Sequence, residues 1–401
     1  MSQILPLHPL IDFNVLDSVA EKSASVVQQV RHKMLAPNST KIPISFSSTE
    51  MAELIGLDKS NISYTAKKYS LPAGTKDGAR LSWTLAEARQ WTQCLRANQL
   101  RNPKTAAGVV ITVANYKGGV TKTTTAAALA QGLSLRGHKC LFIDTDPQGS
   151  GTTLFGILPD IEVDESQTIM PIITGETDTI IGSIQKTYWD GIDLVAAGPQ
   201  LASADFILAS RQSKEIDNGF EFWKVLDSAL DPAREIYDVI IIDTPPNLSF
   251  TTINALMAAQ GLLMPLPPNS LDFASSAQFW NLLTELCGQL YKNRGADKKF
   301  HFIDVVLARV DKADAISQAV KQWILRAYQD MVIPVELPKT SIAATASAEF
   351  GTVYDLSRTT AQAKTLKRAR DAYEQLVDYV EAQIAGVWAS DSSGKTNAEM
   401  E

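Results

Sequence analysis

Apolar residues recur at three- and four-residue spacing between 10 and 35, at Phe13, Leu16, Val19, Ala20, Val26, Val27, Val30 and Met34. That spacing predicts an amphipathic helix of about 25 residues. No other element stands beside it to bury the stripe. Either a partner chain covers it, or it folds back on its own domain. Pro37 and Pro43 then mark a linker. Two short periodic runs follow on either side of Gly56. Met51, Leu54 and Ile55 face one side of the first, with Ser48 as the expected cap; Ile62 and Ala66 face inward on the second, expected to start at Ser60. This leaves Lys59, Asn61, Ser63, Tyr64 and Lys67 outward, next to Lys68. Short helices joined by a glycine turn read as helix-turn-helix, a pattern that also occurs in proteins that never touch DNA. Arg80-Leu81-Ser82-Trp83 reads as a small wing, and a helix from Thr84 turns Leu85, Ala88 and Trp91 inward.

Beyond a linker near Asn102 to Thr105 the period changes. Continuous apolar runs predict strands at 109–114, 140–144, 192–196, 238–242, 262–266, 301–308 and 331–335, with helical stretches between most of them. Runs such as Val239-Ile240-Ile241-Ile242 are apolar on both faces, which implies an α/β fold: a mostly parallel sheet with helices on both sides. Ligand is expected at the carboxyl ends of such strands. The last helix carries Leu366, Ala369, Tyr373, Leu376, Val377, Val380 and Ile384 on one face, and Lys364, Lys367, Arg368 and Arg370 in its first half. Residues 389–401, rich in Ser, Gly, Lys and Glu, are expected to be a disordered tail.

Charge sharpens this outline. The chain of 401 residues has a formal net charge of −7, yet residues 31–104 hold twelve Lys/Arg against five Asp/Glu. A basic module on an acidic core suits nucleic-acid contact, or is simply a small domain with a basic surface. The length favours two folded parts. No apolar run of membrane length and no signal-like start is seen, so neither a span nor secretion is expected. Cys94, Cys140 and Cys287 are scattered without metal spacing, as in a reducing cytoplasm.

The candidate chemistry lies between Val109 and Gly149. The strand ends at Asn115, and Lys117-Gly118-Gly119-Val120-Thr121-Lys122-Thr123-Thr124 leads into a helix. Glycines let backbone N–H groups converge on one anion, and the helix N-terminus faces it. Lys122 would reach the β- and γ-phosphates, and the Thr123 hydroxyl a bridging Mg²⁺. Asp144 and Asp243 follow directly on apolar strands; Asp243 suits a water-mediated metal contact, while Asp144 suits orienting the metal or the loop.

The KGGxxKT segment resembles the deviant Walker A motif of the ParA/MinD family of ATPases. Asp144-Thr145-Asp146-Pro147-Gln148-Gly149 resembles that family's DxDPQG segment, and Asp243-Thr244-Pro245-Pro246 its Walker B region. The likeness spans roughly residues 105–387. Thr121 departs from the commoner KGGVGKT form and puts a side chain on the phosphate rim. The resemblance implies a P-loop NTPase domain over 106–388, using ATP, ADP and Mg²⁺, behind a dimerisation helix (1–36) and a winged helix-turn-helix domain (44–101). It implies that Lys117 crosses a nucleotide-sandwich homodimer to the partner's phosphates, that Lys122 and Asp146 act in catalysis, with Asp146 placing the attacking water, and that Pro338 and Lys339 lie near the adenine. Function follows as an expectation: DNA partition, with a weak basal ATPase stimulated by a centromere-binding adaptor of the ParB type and by DNA. The setting would be cytoplasmic and nucleoid-associated, without a membrane. DNA would be held nonspecifically through Lys364, Lys367, Arg368 and Arg370, unless these are only a solvated face, and at an operator through Lys59, Asn61, Ser63, Tyr64, Lys67, Lys68 and Arg80. The alternative is a repressor in which the nucleotide is only a switch. A membrane-positioning ATPase would want a basic amphipathic terminal helix, and a metabolic P-loop enzyme would lack the winged module.

Overall fold

The computed structural model describes residues 12–35, 41–78, 80–292, 297–339, 351–356 and 363–398. It divides into two compact units, residues 1–42 and 43–401. In the first, α1 (Phe13–Leu35) is a single helix whose Asp12 carboxylate accepts from the Val15 N–H. Phe13, Leu16, Val19 and Val26 lie exposed along it, Phe13 at 83%. The side chains of Val27, Val30 and Met34 lie outside the described residues.

The second unit begins with a three-stranded antiparallel sheet in the order β1 (Ser45–Ser47), β3 (Arg80–Thr84), β2 (Thr75–Asp77). Packed on it are α2 (Ser48–Ile55), α3 (Ile62–Tyr69) and α4 (Leu85–Leu95). The cap of α2 is Ser47 rather than Ser48: only the residue three before Glu50 can exchange hydrogen bonds with it in a capping box. Nor does the next helix start at Ser60. Asp58 accepts from Ser60, opening a tight 3-10 turn over Lys59–Asn61, and α3 begins at Ile62. Gly56 ends α2 in the left-handed conformation. Trp83 and Trp91 are buried together, both donating to the Pro72 carbonyl.

Among the described residues the main sheet has the strand order β11-β10-β9-β4-β8-β5-β7-β6. The strands are β4 (Val109–Val113), β5 (Cys140–Asp144), β6 (Gln185–Lys186), β7 (Ile192–Val195), β8 (Val239–Asp243), β9 (Gly261–Leu266), β10 (Phe302–Val310) and β11 (Val332–Pro338). All pair in parallel except β6 with β7. Among the described residues the remaining helices of eight or more residues are α5 (Lys122–Leu135), α6 (Ala204–Glu215), α7 (Phe250–Ala258), α8 (Ser270–Leu290), α9 (Ala315–Tyr328) and α10 (Ala363–Ala398).

Side-chain alternation explains the layers. On β4, Val109, Ile111 and Val113 join one buried cluster and Val110 the other; on β8, Val239 and Ile241 oppose Ile240 and Ile242 in the same way. Each strand thus buries both faces under helices, which disfavours any register slip. α5 runs between the sheet and α10, and a Cβ on Gly132 would stand 2.4 Å from Val377, so glycine sets that close approach. All seven apolar positions expected on the last helix are buried. That helix continues through Ala398, into the stretch expected to be disordered. An established helix extends at far lower cost than it nucleates, so a weak sequence follows the docked segment before it. Residues 399–401 lie outside the described residues.

Asp304, buried on β10 beside the Gln383 amide and near Tyr379, has its carboxyl pushed up to about 7 by burial. The folded state therefore keeps a proton that the unfolded chain releases near 3.8, and stability falls as pH rises from about 4 to 7. Asp304→Asn is expected to remove that slope and add on the order of 2–4 kcal/mol at pH 8. Urea midpoints at pH 5.5 and 8 read this directly. An unchanged slope in the variant would count against it.

Candidate active site

β4 is flanked by β8 and β9, and β5 lies on one side of it while β9 and β10 lie on the other. The chain after β4 thus emerges where the strand order reverses, the place at which open α/β sheets bind ligands. There a cleft of about 490 Å³ is lined by Gly118, Gly119, Thr121, Lys122, Thr123, Thr124, Asp146, Gln148 and Pro246, among others. Val120 is buried beneath the loop.

The loop is held at several points. Asn115 donates to the Pro265 carbonyl and accepts from the Lys117 N–H, which fixes the exit from β4. The Lys122 ammonium donates to the Lys117 carbonyl at 3.0 Å. Burial pushes its pKa down, against the attraction of Asp243 and Asp146. Gly119 and Thr121 both adopt the left-handed conformation, at φ 74° each. Alternating left-handed residues turn successive N–H groups to one side, which makes an anion nest.

Asp243 and Asp144 are register partners on β8 and β5, and both are fully buried. Their carboxylates do different work. Asp144 accepts from the Thr152 N–H and hydroxyl, at 2.7 and 2.9 Å, and from the Asp146 N–H at 3.2 Å. It anchors the loop that carries Asp146 onto the short helix Ser150–Leu154, and its pKa is pushed up to about 6 chiefly by burial. Of its two expected roles, orienting the loop is the one the geometry provides. Asp243 has both carboxylate oxygens buried without a hydrogen bond of good geometry. Burial and the neighbouring Asp144 push its pKa well up, opposed by the Thr123 hydroxyl and Lys122. An orphaned carboxylate beside a threonine hydroxyl fits a divalent cation whose remaining ligands are phosphate oxygens and water. Among the described residues no cluster of three His, Cys, Asp or Glu could hold a metal alone. Mg²⁺, which keeps its waters, does not need one.

Lys117 lies beside the cleft, its ammonium 2.5 Å from Asp272 in the first turn of α8. Elsewhere, the Asp205 carboxylate accepts from the Thr251 N–H and hydroxyl at the start of α7, tying that helix to α6. Pro338 and Lys339 sit at the tip of β11, beyond β9 and β10, and are not among the residues lining the cleft. Lys339 instead faces Asp311, 3.7 Å away. Thr340 lies outside the described residues.

The winged module presents Lys59, Asn61, Ser63, Tyr64, Lys67, Lys68 and Arg80 to solvent. On α10, Lys364, Lys367 and Arg368 are exposed, whereas Arg370 is half-buried over the Tyr354 ring. Sequence reasoning missed two residues. Arg309 on β10 donates to the Gly119 carbonyl at 3.0 Å. Arg89 on α4 is buried and donates to the Ser134 and His138 carbonyls at the end of α5 and to Asp190. A single arginine in an apolar run gives no periodic signal.

Known proteins share this construction. A family model described as an AAA domain matches residues 108–294. The sporulation initiation inhibitor protein Soj of Bacillus subtilis (strain 168) is 30% identical over 232 residues, 58% of this chain and 85% of that protein. A putative replication protein A of Rhizobium rhizogenes is 27% identical over 384 residues, 93% of this chain and 95% of that one. A solved structure described as a partition protein matches with a TM-score of 0.63 and 19% identity, over 94% of this chain and 99% of its own. Another, from Mycobacterium smegmatis, is described as cobyrinic acid a,c-diamide synthase with bound ATP analogue and magnesium. It matches with a TM-score of 0.52 and 26% identity over 68% of this chain and 93% of its own.

Proposed function

Because the chain belongs to the ParA/MinD family of deviant Walker A ATPases, we propose that it is an ATP-dependent DNA partition motor whose nucleotide site is complete only when two chains meet. ATP or ADP with Mg²⁺ is its cofactor. One observation carries this reading: Lys117 stands beside a cleft that already contains its own lysine, Lys122, and its ammonium is held there by a partly exposed ion pair to Asp272. A second ammonium beside the cleft can leave Asp272 and neutralise charge on a phosphoryl group bound by a facing copy. ATP then closes a homodimer, in which the exposed stripe of α1 finds its counterpart.

The closed dimer holds nucleoid DNA through Lys364, Lys367 and Arg368, with little sequence preference. Hydrolysis, slow in the chain alone and stimulated by a ParB-type adaptor on the centromere, releases it. The winged module adds operator binding through α3 and the wing. The protein works in the cytoplasm on the nucleoid. No helix among the described residues is long and apolar enough to cross a membrane.

The test is binding of a random-sequence duplex at fixed salt with ATP, ADP or no nucleotide. ATP alone should switch on tight binding, with log affinity falling against log salt at a slope of about −0.9 per phosphate neutralised. Binding that ignores nucleotide and survives on the winged module would favour the repressor reading instead.

A further inference from the structure

Among the described residues, four that are not glycine hold a left-handed backbone: Ser70, Thr121, Arg309 and Gln329. Two of the four meet at the phosphate loop. Thr121 is part of it, and Arg309 reaches it from 190 positions away. A β-branched residue at φ 74° is strained, because its side chain crowds the backbone. Besides the Asn115 and Lys122 contacts, Arg309 supplies one of the restraints that keep the loop in this shape.

Arg309 owes its direction to a defect in β10. Leu307 pairs with Glu336 and Val310 with Pro338, so β10 spends three steps where β11 spends two. The extra residue is a bulge, and bulges re-aim side chains near functional sites. Arg309, at φ 53°, sits within it just past Leu307, where pairing with β9 ends, while Ala308 and Val310 stay buried. Its guanidinium accordingly meets the Gly119 carbonyl.

We propose that Arg309 is a positioning residue for the phosphate loop, holding it in a strained nucleotide-binding shape against the pull of Thr121 to relax. The physical link is the Gly119–Val120 peptide. In a planar trans peptide the C=O and the following N–H point in opposite directions, so fixing the Gly119 oxygen also fixes the Val120 N–H. Thr121 takes its left-handed turn immediately afterwards. Loss of the guanidinium frees that peptide and lets the loop drift to a shape in which Thr121 is unstrained and the N–H groups no longer converge. ATP then binds only the fraction of molecules still in the binding shape. The inference deepens the partition-ATPase reading and rests on it.

The experiment measures Mg-ATP affinity by calorimetry on the full chain, alongside KM, kcat and thermal midpoint, for wild type, Arg309→Asn, Arg309→Lys, Thr121→Gly and Thr121→Gly/Arg309→Asn. Asparagine tolerates the left-handed backbone, so the bulge survives while the guanidinium is removed. Arg309→Asn is expected to bind ATP roughly 5- to 10-fold more weakly through KM, with kcat and thermal midpoint little changed, and lysine to recover part of the loss. Thr121→Gly should bind roughly 3-fold more tightly, the relief of strain being offset in part by the greater freedom of glycine. In the double variant the loss should nearly vanish, since an unstrained loop needs no restraint. Strictly additive effects would mean that Arg309 touches the nucleotide itself and would overturn the positioning role. So would wild-type affinity in Arg309→Asn, or a loss matched by a fall in thermal midpoint. A wild-type chain that binds no ATP would remove the underlying reading, and this proposal with it.

Discussion

Lys117→Gln is expected to lower ATP turnover by about 100- to 1000-fold, the loss typical when one preorganised group facing the developing charge is removed. Its effect on the fold should be slight. The backbone of residue 117 does the local structural work: its N–H donates to Asn115 and its carbonyl receives the Lys122 ammonium, and glutamine keeps both. What the substitution deletes is the ion pair to Asp272, in which the lysine side chain is 36% exposed. A pair so open to water contributes about 1 kcal/mol at most. Nucleotide affinity should therefore stay within a few-fold of wild type, while turnover and ATP-dependent DNA binding collapse together. Stopped-assay ATPase rates and filter binding, run on the same preparation, read both. Turnover within threefold of wild type would reduce Lys117 to a partner for Asp272 and remove the cross-subunit step.

Arg89→Met should loosen the joint between the winged module and the core, at a cost of about 2–4 kcal/mol. Arg89 is buried, and its guanidinium serves the Ser134 carbonyl at 2.9 Å, the His138 carbonyl at 2.9 Å and the Asp190 carboxylate. Methionine can fill part of the volume but leaves the His138 carbonyl and the Asp190 carboxylate without the guanidinium, while the Ser134 carbonyl keeps the Gly137 N–H. Neighbouring contacts limit the damage: Gln93 still donates to Gly137, and Arg96 still bridges the Arg136 carbonyl and Glu381. The expected result is a core that retains its melting transition and ATP affinity, with an earlier transition or faster proteolysis between Leu95 and Gly108. A single unshifted transition would show that the arginine adds nothing there. The joint matters because α5 begins at Lys122, in the cleft, and ends at the carbonyls that Arg89 and Arg96 grip. One buried helix therefore has the phosphate loop at one end and the small N-terminal sheet-and-helix module at the other.

What could be read from the chain alone was whatever local pattern controls. Asn115, Asp144 and Asp243 each stand at or just past the end of an apolar strand, and parallel strands must bring such ends, with the loops that follow them, to one edge of the sheet. The buried faces of α4 and α10 follow from three- and four-residue spacing. Two kinds of feature escaped. Some were side-chain partners decided at atomic range: Asp144 has the strand-end pattern of a metal ligand, yet its oxygens are taken by Thr152 and Asp146. Others came from tertiary geometry with no sequence period, such as the bulge that turns Arg309 toward Gly119 and the docking of Arg89 against α5. The cap of α2 missed by one residue because Ser47 and Ser48 are chemically alike, and Glu50 alone selects between them.

The two borders of the main sheet set a limit on how the protein can crowd along DNA. Exposed strand borders invite neighbouring chains to add themselves by backbone hydrogen bonding, the route to fibrous aggregates. At one border β6 is only two residues long and runs antiparallel, with Lys186 at its end paired to Asp193. At the other, β11 carries Pro334 and Pro338, neither of which has an N–H to offer a newcomer. Many copies can therefore crowd together without their sheets fusing. Any ordered array they form must be built from helices and loops, which ATP hydrolysis can take apart again.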